Sequence, residues 1–143
     1  MDLVNVVNEQ NDELKNLYRK LKIAITGLEA IKEYGDNQGI AKKTLDCLKK
    51  NVPSEVPGIA FLSGGQTEIE SSKNLNEINK INDTSFHFTF SYGRALQQSA
   101  LKTWSKSMKD INKIQKVFDH RAKMNSASTE AKWNEKLEQS FAA

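Results

Sequence analysis

Two short segments carry residues suited to holding an anion: Ser63-Gly64-Gly65 and Ser91-Tyr92-Gly93-Arg94. Glycine lets the backbone come close to a ligand and turn its N–H groups toward negative charge. A serine hydroxyl adds one donor, and Arg94 adds a planar fork matched to phosphate oxygens. Each turn leads into a helical pattern, whose first N–H groups and positive dipole end favour an anion further. Either turn alone is more often a plain connection, and a single arginine more often a surface residue. The two in tandem point to one phosphate site. Ser63 is not a nucleophile elbow, because the G-x-S-x-G frame is absent and no histidine lies near it in sequence.

The elements that must position these turns are legible on both sides. Gly58-Ile59-Ala60-Phe61-Leu62 is a short apolar run, the pattern of a strand buried on both faces. Thr67 to Glu70 reads T-x-x-E, a capping box that opens a helix carrying Ile69, Leu75, Ile78 and Ile81. Phe86–Phe90 places phenylalanine at alternate positions and reads as a second strand. Arg94–Trp104 forms the next helix. Two amphipathic helices follow, one expected to turn Met108, Ile111, Ile114 and Phe118 inward, the other to align Trp133, Leu137 and Phe141.

Upstream, Gly39–Lys50 is helical, with Ile40, Thr44, Leu45 and Leu48 on one face, and Pro53 and Pro57 end it. Residues 1–38 read as a mostly helical, divergent segment, with Leu14, Leu17, Tyr18 and Leu21 on one face and a short apolar run at Ile23–Ile25. The order helix, strand, Gly-turn, helix, strand, Gly-turn, helix is the β/α alternation of a parallel sheet. A closed eight-stranded barrel needs roughly 250 residues, and this chain has 143 with two or three strands. The expected fold is α/β: part of a (β/α)8 barrel, its last two or three units over 39–104, plus C-terminal helices over 105–143. Two strands with unpaired edges predict marginal stability until a partner completes the sheet.

Composition narrows the function classes. No run approaches the roughly 20 apolar residues of a membrane span, and the N-terminus lacks a signal-peptide core, so no membrane partner is expected. A single cysteine, Cys47, excludes an intrachain disulfide and fits a reducing cytoplasm. With only His87 and His120 beside it, no metal site and no cofactor are expected. A net charge of +3 suits a small phosphorylated ligand and falls short of a nucleic-acid footprint.

Several words of the chain resemble class I fructose-bisphosphate aldolases, in the same order and at the same separation. They are IAKKTLDCLKKNVP, VPGIAFLSGGQ, NLNEIN and TFSYGRALQQSALKTW, and the similarity runs over about residues 39–126. The resemblance implies a phosphate-binding role for Ser63, Gly64, Gly65, Ser91, Gly93 and Arg94. It also implies a glycolytic lyase that reversibly cleaves fructose 1,6-bisphosphate to dihydroxyacetone phosphate and glyceraldehyde 3-phosphate. The family does so through a lysine Schiff base, needs no cofactor, and usually forms a homotetramer.

The family lysine must be neutral to attack a ketone, and it sits in a run like LLKPNMV. Lys20 stands at a similar distance before Gly27, but Leu21-Lys22 replaces the Pro-Asn that follows the family lysine. Lys20 and Lys22 read as solvated surface residues. The family's acid/base carboxylates come from earlier strands and are expected to be missing here. The C-terminal Phe141-Ala142-Ala143 lacks the hydroxyl of the family's terminal tyrosine. Read alone, the chain is thus a phosphate-gripping piece of an aldolase, with another chain as the implied partner that completes the barrel. The alternatives are an inactive remnant, and a small basic interaction module using Lys102, Lys106, Lys109 and Lys113. For those lysines a solvated helix face is the better account.

Overall fold

The computed structural model describes residues 36–140. The expected helix over 1–21, the strand at Ile23–Ile25, Lys20, Lys22 and Phe141 all lie outside these residues. The chain divides at Pro53/Ser54 into two units. In the first, helix α1 (Asn37–Asn51) starts where Asp36 accepts from the Gly39 amide at 2.7 Å. It ends at Val52, which is extended as the residue before a proline must be. Ala41, Leu45, Cys47 and Leu48 are buried, while Ile40 and Thr44 are half-buried.

In the second unit the order is β1 (Gly58–Phe61), α2 (Glu68–Lys80), β2 (His87–Phe90), α3 (Arg94–Lys106), α4 (Ile111–Thr129) and α5 (Glu135–Gln139). The two strands pair in parallel, with Gly58 opposite His87 and Phe61 opposite Phe90. The helix between them is the crossover that a parallel pair requires. Helix α2 begins with the expected capping box: Thr67 Oγ1 accepts from the Glu70 amide at 3.2 Å, and Glu70 Oε2 accepts from the Thr67 amide at 2.8 Å. The Thr67 amide first, and the Thr67 hydroxyl after it, hold the Glu70 carboxyl below its ordinary pKa, against the opposing effect of burial.

Three expectations change. Strand β1 is not buried on both faces: Gly58 and Ala60 are exposed, Ile59 and Phe61 half-buried, and Leu62 is 75% exposed. The apolar run is real, but among the described residues only one side of the strand is covered. Strand β2 shows one-sided packing, with Phe86 and Phe88 buried and His87 and Thr89 exposed.

Met108, Ile111, Ile114 and Phe118 do not point into a core. Met108 and Ile111 are 70% and 61% exposed, Phe118 is also exposed, and Ile114 is half-buried. With Leu101 and Trp104 they line an open groove of about 580 Å³ between α3 and α4. The face they mark on α4 is buried only farther along, at Arg121, Met124, Asn125 and Ser128, where α2 packs against it. Finally, Trp133 precedes α5 and is buried, whereas Leu137 is exposed at 39%.

The α2–α4 contact is made largely of small polar residues. Ser71, Ser72 and Asn76 on α2 and Asn125 and Ser128 on α4 are buried, while Ile69 and Ile81 stay half in solvent. Small side chains let two helices approach closely, and each hydroxyl finds a carbonyl one turn back. Ser72 Oγ donates to Glu68 O at 3.1 Å and Ser128 Oγ to Met124 O at 2.9 Å.

Candidate functional site

The ladder between the strands continues one step past β2: the Ser91 amide donates to Phe61 O at 2.8 Å. This bond seats the second turn directly beside the chain leaving β1, so both Ser-Gly turns emerge at the same end of the sheet. Ligands of open α/β sheets bind at this carboxyl end of the strands. The first turn closes on itself, with the Gln66 amide donating to Ser63 O at 3.1 Å. Gly64 inside it has φ +56°, the left-handed region where a side chain is strained. Ser63 is buried, while Gly64, Gly65, Ser91, Gly93 and Arg94 are exposed. A Cβ at Gly65 or Gly93 would meet nothing within 4 Å, so open room lies beside both turns.

The two helices that follow differ at their starts. Thr67 occupies the N-terminus of α2, whereas Gly93 at the start of α3 provides no side-chain cap. The first amides of α3 are thus left for another acceptor. Arg94 is the first residue of that helix. Ser91, Gly93 and Arg94 are held together by local sequence, and the Ser91–Phe61 bond brings them to the Ser63 turn.

The family model for class I fructose-bisphosphate aldolase, a glycolytic enzyme, matches residues 2–143. The chain belongs to the class I fructose-bisphosphate aldolase family. A cytosolic aldolase of Arabidopsis thaliana is 50% identical over 91 residues, which cover 63% of this chain and 23% of that protein. The cytoplasmic isozyme 1 of Pisum sativum is 40% identical over 128 residues, 89% of this chain and 35% of its own. The solved structure of Plasmodium falciparum aldolase, in complex with TRAP and a small-molecule inhibitor, superposes with a TM-score of 0.66 at 42% identity. That match covers 69% of this chain and 28% of the other. The chain spans less than two fifths of the length of the curated relatives it matches.

Within this aldolase-family chain, several residues that sequence reasoning passed over fix the turns. Tyr92, between Ser91 and Gly93, is buried and donates from its hydroxyl to Ser71 O on α2 at 3.0 Å. Burial pushes its phenol pKa far upward, so it stays a neutral donor. Its ring packs on Phe90 with centroids 5.3 Å apart. An aromatic residue inside a glycine turn is the signal that marks it. Asn74 Nδ2 donates to Gln66 Oε1 at 2.8 Å, tying the first turn to α2. Asn79 Nδ2 lies 3.3 Å from Phe88 O on β2 and 3.1 Å from Ser128 O on α4, and so holds the strand to both helices.

A second polar cluster lies away from the turns. Arg121 on α4 donates to Glu138 on α5 from both Nη atoms, at 2.6 and 3.0 Å, and to Ser72 Oγ at 2.8 Å. Trp133 Nε1 donates to the same carboxylate at 2.7 Å, and His120 Nε2 stands 3.6 Å from it. Ser72 Oγ also lies 2.7 Å from Asn125 Oδ1. Arg121 Nε and Asn125 Nδ2 remain buried with no hydrogen-bond partner. Lys102, Lys106, Lys109 and Lys113 are all exposed, at the end of α3 and the start of α4.

Gly64 gives a local test of the first turn. Gly64→Ala is expected to cost about 1 kcal/mol from its positive φ alone, since no atom lies within 4 Å of the added Cβ. Gly65→Ala, at negative φ and equally open, is expected to leave stability unchanged. Urea unfolding midpoints of the two variants compare them directly, and equal midpoints would refute the assignment of strain to Gly64.

Proposed function

We propose that Ser63, Gly64, Gly65, Ser91, Gly93 and Arg94 grip a phosphate of a sugar phosphate, with fructose 1,6-bisphosphate or dihydroxyacetone phosphate as the ligand. The observation that carries this reading is the Ser91–Phe61 bond, which sets the two glycine turns side by side at the carboxyl end of the strands. The side-chain cap missing from α3, the exposed Arg94 at its first position and the family membership support it. The phosphate would take the uncapped amides of α3, the Ser91 hydroxyl and the guanidinium fork, with the Ser63 turn closing the other side.

On this reading, residues 39–104 are β/α units of a partial (β/α)8 barrel and 105–143 its C-terminal helices. The uncovered side of β1 and the exposed Leu62 are where further strands would pack. A second chain of the family is the partner proposed to supply them, in an assembly akin to the family's homotetramer, in the cytoplasm. Aldol cleavage itself then requires a lysine and acid/base carboxylates held opposite the grip. Among the described residues, no helix is long and apolar enough to cross a membrane.

Isothermal titration of the full chain with fructose 1,6-bisphosphate tests the grip: saturable binding is expected. Borohydride trapping with the same sugar tests the chemistry. Mass spectrometry should then find no lysine adduct on the chain alone, and a stoichiometric adduct at Lys20 or Lys22 would make it an imine-forming enzyme by itself.

A further inference from the structure

We propose that Glu68 is a positioning residue for the phosphate grip, acting through Ser99 to fix the distance between its two halves. This inference rests on the proposed grip and goes beyond it. Glu68 opens α2, three residues after Gly65, and Ser99 lies in α3, five residues after Arg94. Glu68 Oε1 accepts from the Ser99 backbone amide at 2.9 Å, and Glu68 Oε2 accepts from the Ser99 hydroxyl. The carboxylate is therefore bound to the main chain of α3 as well as to a hydroxyl that can rotate. A helix is a stiff rod rising about 1.5 Å per residue, so fixing Ser99 also fixes Arg94 about one and a half turns away.

The division of labour in the first turn of α2 singles out Glu68. Thr67 and Glu70 satisfy the capping duties there between themselves. Glu68 makes no such local bond with its side chain, and reaches across to α3 instead. Its own carbonyl is held by the hydroxyls of Ser71 and Ser72, at 3.0 and 3.1 Å, so the base of the tether is fixed too. Tyr92 also pins the second turn to α2, at Ser71 O. Together the two links leave the Ser63 and Ser91 turns little freedom to separate. A phosphate meeting both turns then meets donors already in place, and ordering cost is avoided at binding.

The test titrates the full chain with inorganic phosphate and with fructose 1,6-bisphosphate, alongside thermal unfolding of the unliganded protein. Glu68→Ala is expected to weaken phosphate affinity about tenfold. Glu68→Gln, which keeps an acceptor oxygen, should restore affinity to within about threefold of the parent. Ser99→Ala removes one arm of the tether and should fall between them. The double variant should bind no more weakly than Glu68→Ala, because both changes break one tether.

In ¹⁵N spectra, phosphate should shift the Gly65 and Gly93 amides together in the parent and in Glu68→Gln. In Glu68→Ala the two responses should be smaller and uncoupled, an effect that general destabilisation does not produce. If Glu68→Ala fails to fold, the Gln and Ser99→Ala variants give the same reading. Parent-like affinity in Glu68→Ala or Ser99→Ala overturns the inference while leaving the grip intact. So does a double variant whose loss is the product of the singles, or a Glu68→Gln as weak as Glu68→Ala. A parent chain that binds neither phosphate nor the sugar overturns the inference together with the grip.

Discussion

Replacing Arg94 with alanine is expected to reduce sugar-phosphate affinity by roughly 10- to 150-fold, the loss of one charge-assisted contact of about 1.5–3 kcal/mol. The size follows from where the side chain sits. Arg94 is the first residue of α3, exposed, at a helix start with no side-chain cap. A guanidinium there meets phosphate oxygens with two parallel N–H groups, in line with the helix dipole. Lysine at this position keeps the charge and loses the fork, so Arg94→Lys should recover only part of the affinity. Because the side chain is exposed, neither change should alter the unfolding free energy by more than about 0.5 kcal/mol. A binding loss can therefore be read as lost contact and not as lost fold. Titration of parent, Arg94→Ala and Arg94→Lys with fructose 1,6-bisphosphate settles the matter: equal affinities across the three would remove Arg94 from the site.

The parts of this protein that sequence made legible are those whose cause is local. The Thr67–Glu70 capping box needs residues three apart, and the structure forms it with both bonds. The alternating phenylalanines of β2 describe one strand's own pleat. Ser63-Gly64-Gly65 marks a turn because Gly64 adopts a positive φ that other residues resist. The misreadings arise where a pattern depends on what lies opposite. Ile111, Ile114 and Phe118 do share a helix face, with Met108 just before it, but that face is buried only from Arg121 onward. The apolar run at β1 likewise predicts a strand covered on both faces, whereas among the described residues only the Ile59 and Phe61 side is partly covered.

Long-range polar partners were invisible for a related reason. Nothing near Ser72 signals Arg121, 49 residues away, or Asn125, 53 away. Serines and asparagines on a helix read as solvent-facing until a second helix supplies the matching donor. Tyr92 and Glu68 escaped notice in the same way, since each acts through a neighbour on another element.

Removing the Glu138 side chain should destabilise the fold measurably. Glu138→Ala would leave the Arg121 guanidinium, 4% exposed, and the Trp133 indole without their shared acceptor. Glu138 is only half-buried, so the cost should fall below that of a fully buried pair, about 3–5 kcal/mol, while exceeding that of an exposed one, about 1 kcal/mol. Glu138→Gln keeps an acceptor for the indole and loses the charge, so it should fall between parent and alanine.

The pH dependence has a definite sign. Burial alone would raise the Glu138 pKa, but hydrogen bonds from Arg121 and Trp133 and the charges of Arg121 and His120 outweigh it. The carboxyl is thereby held below its ordinary value of 4.5. A depressed folded-state pKa contributes stability that is present above the unfolded value and lost as pH falls toward the folded one. The gap between parent and Glu138→Ala should therefore be full at neutral pH and shrink below about pH 4.5. Urea unfolding followed by tryptophan fluorescence reads this directly, because Trp133 itself loses its carboxylate partner when α5 detaches. A gap under about 1 kcal/mol at pH 7, or one that widens in acid, would mean that the Arg121–Glu138 pair contributes no more than an exposed one.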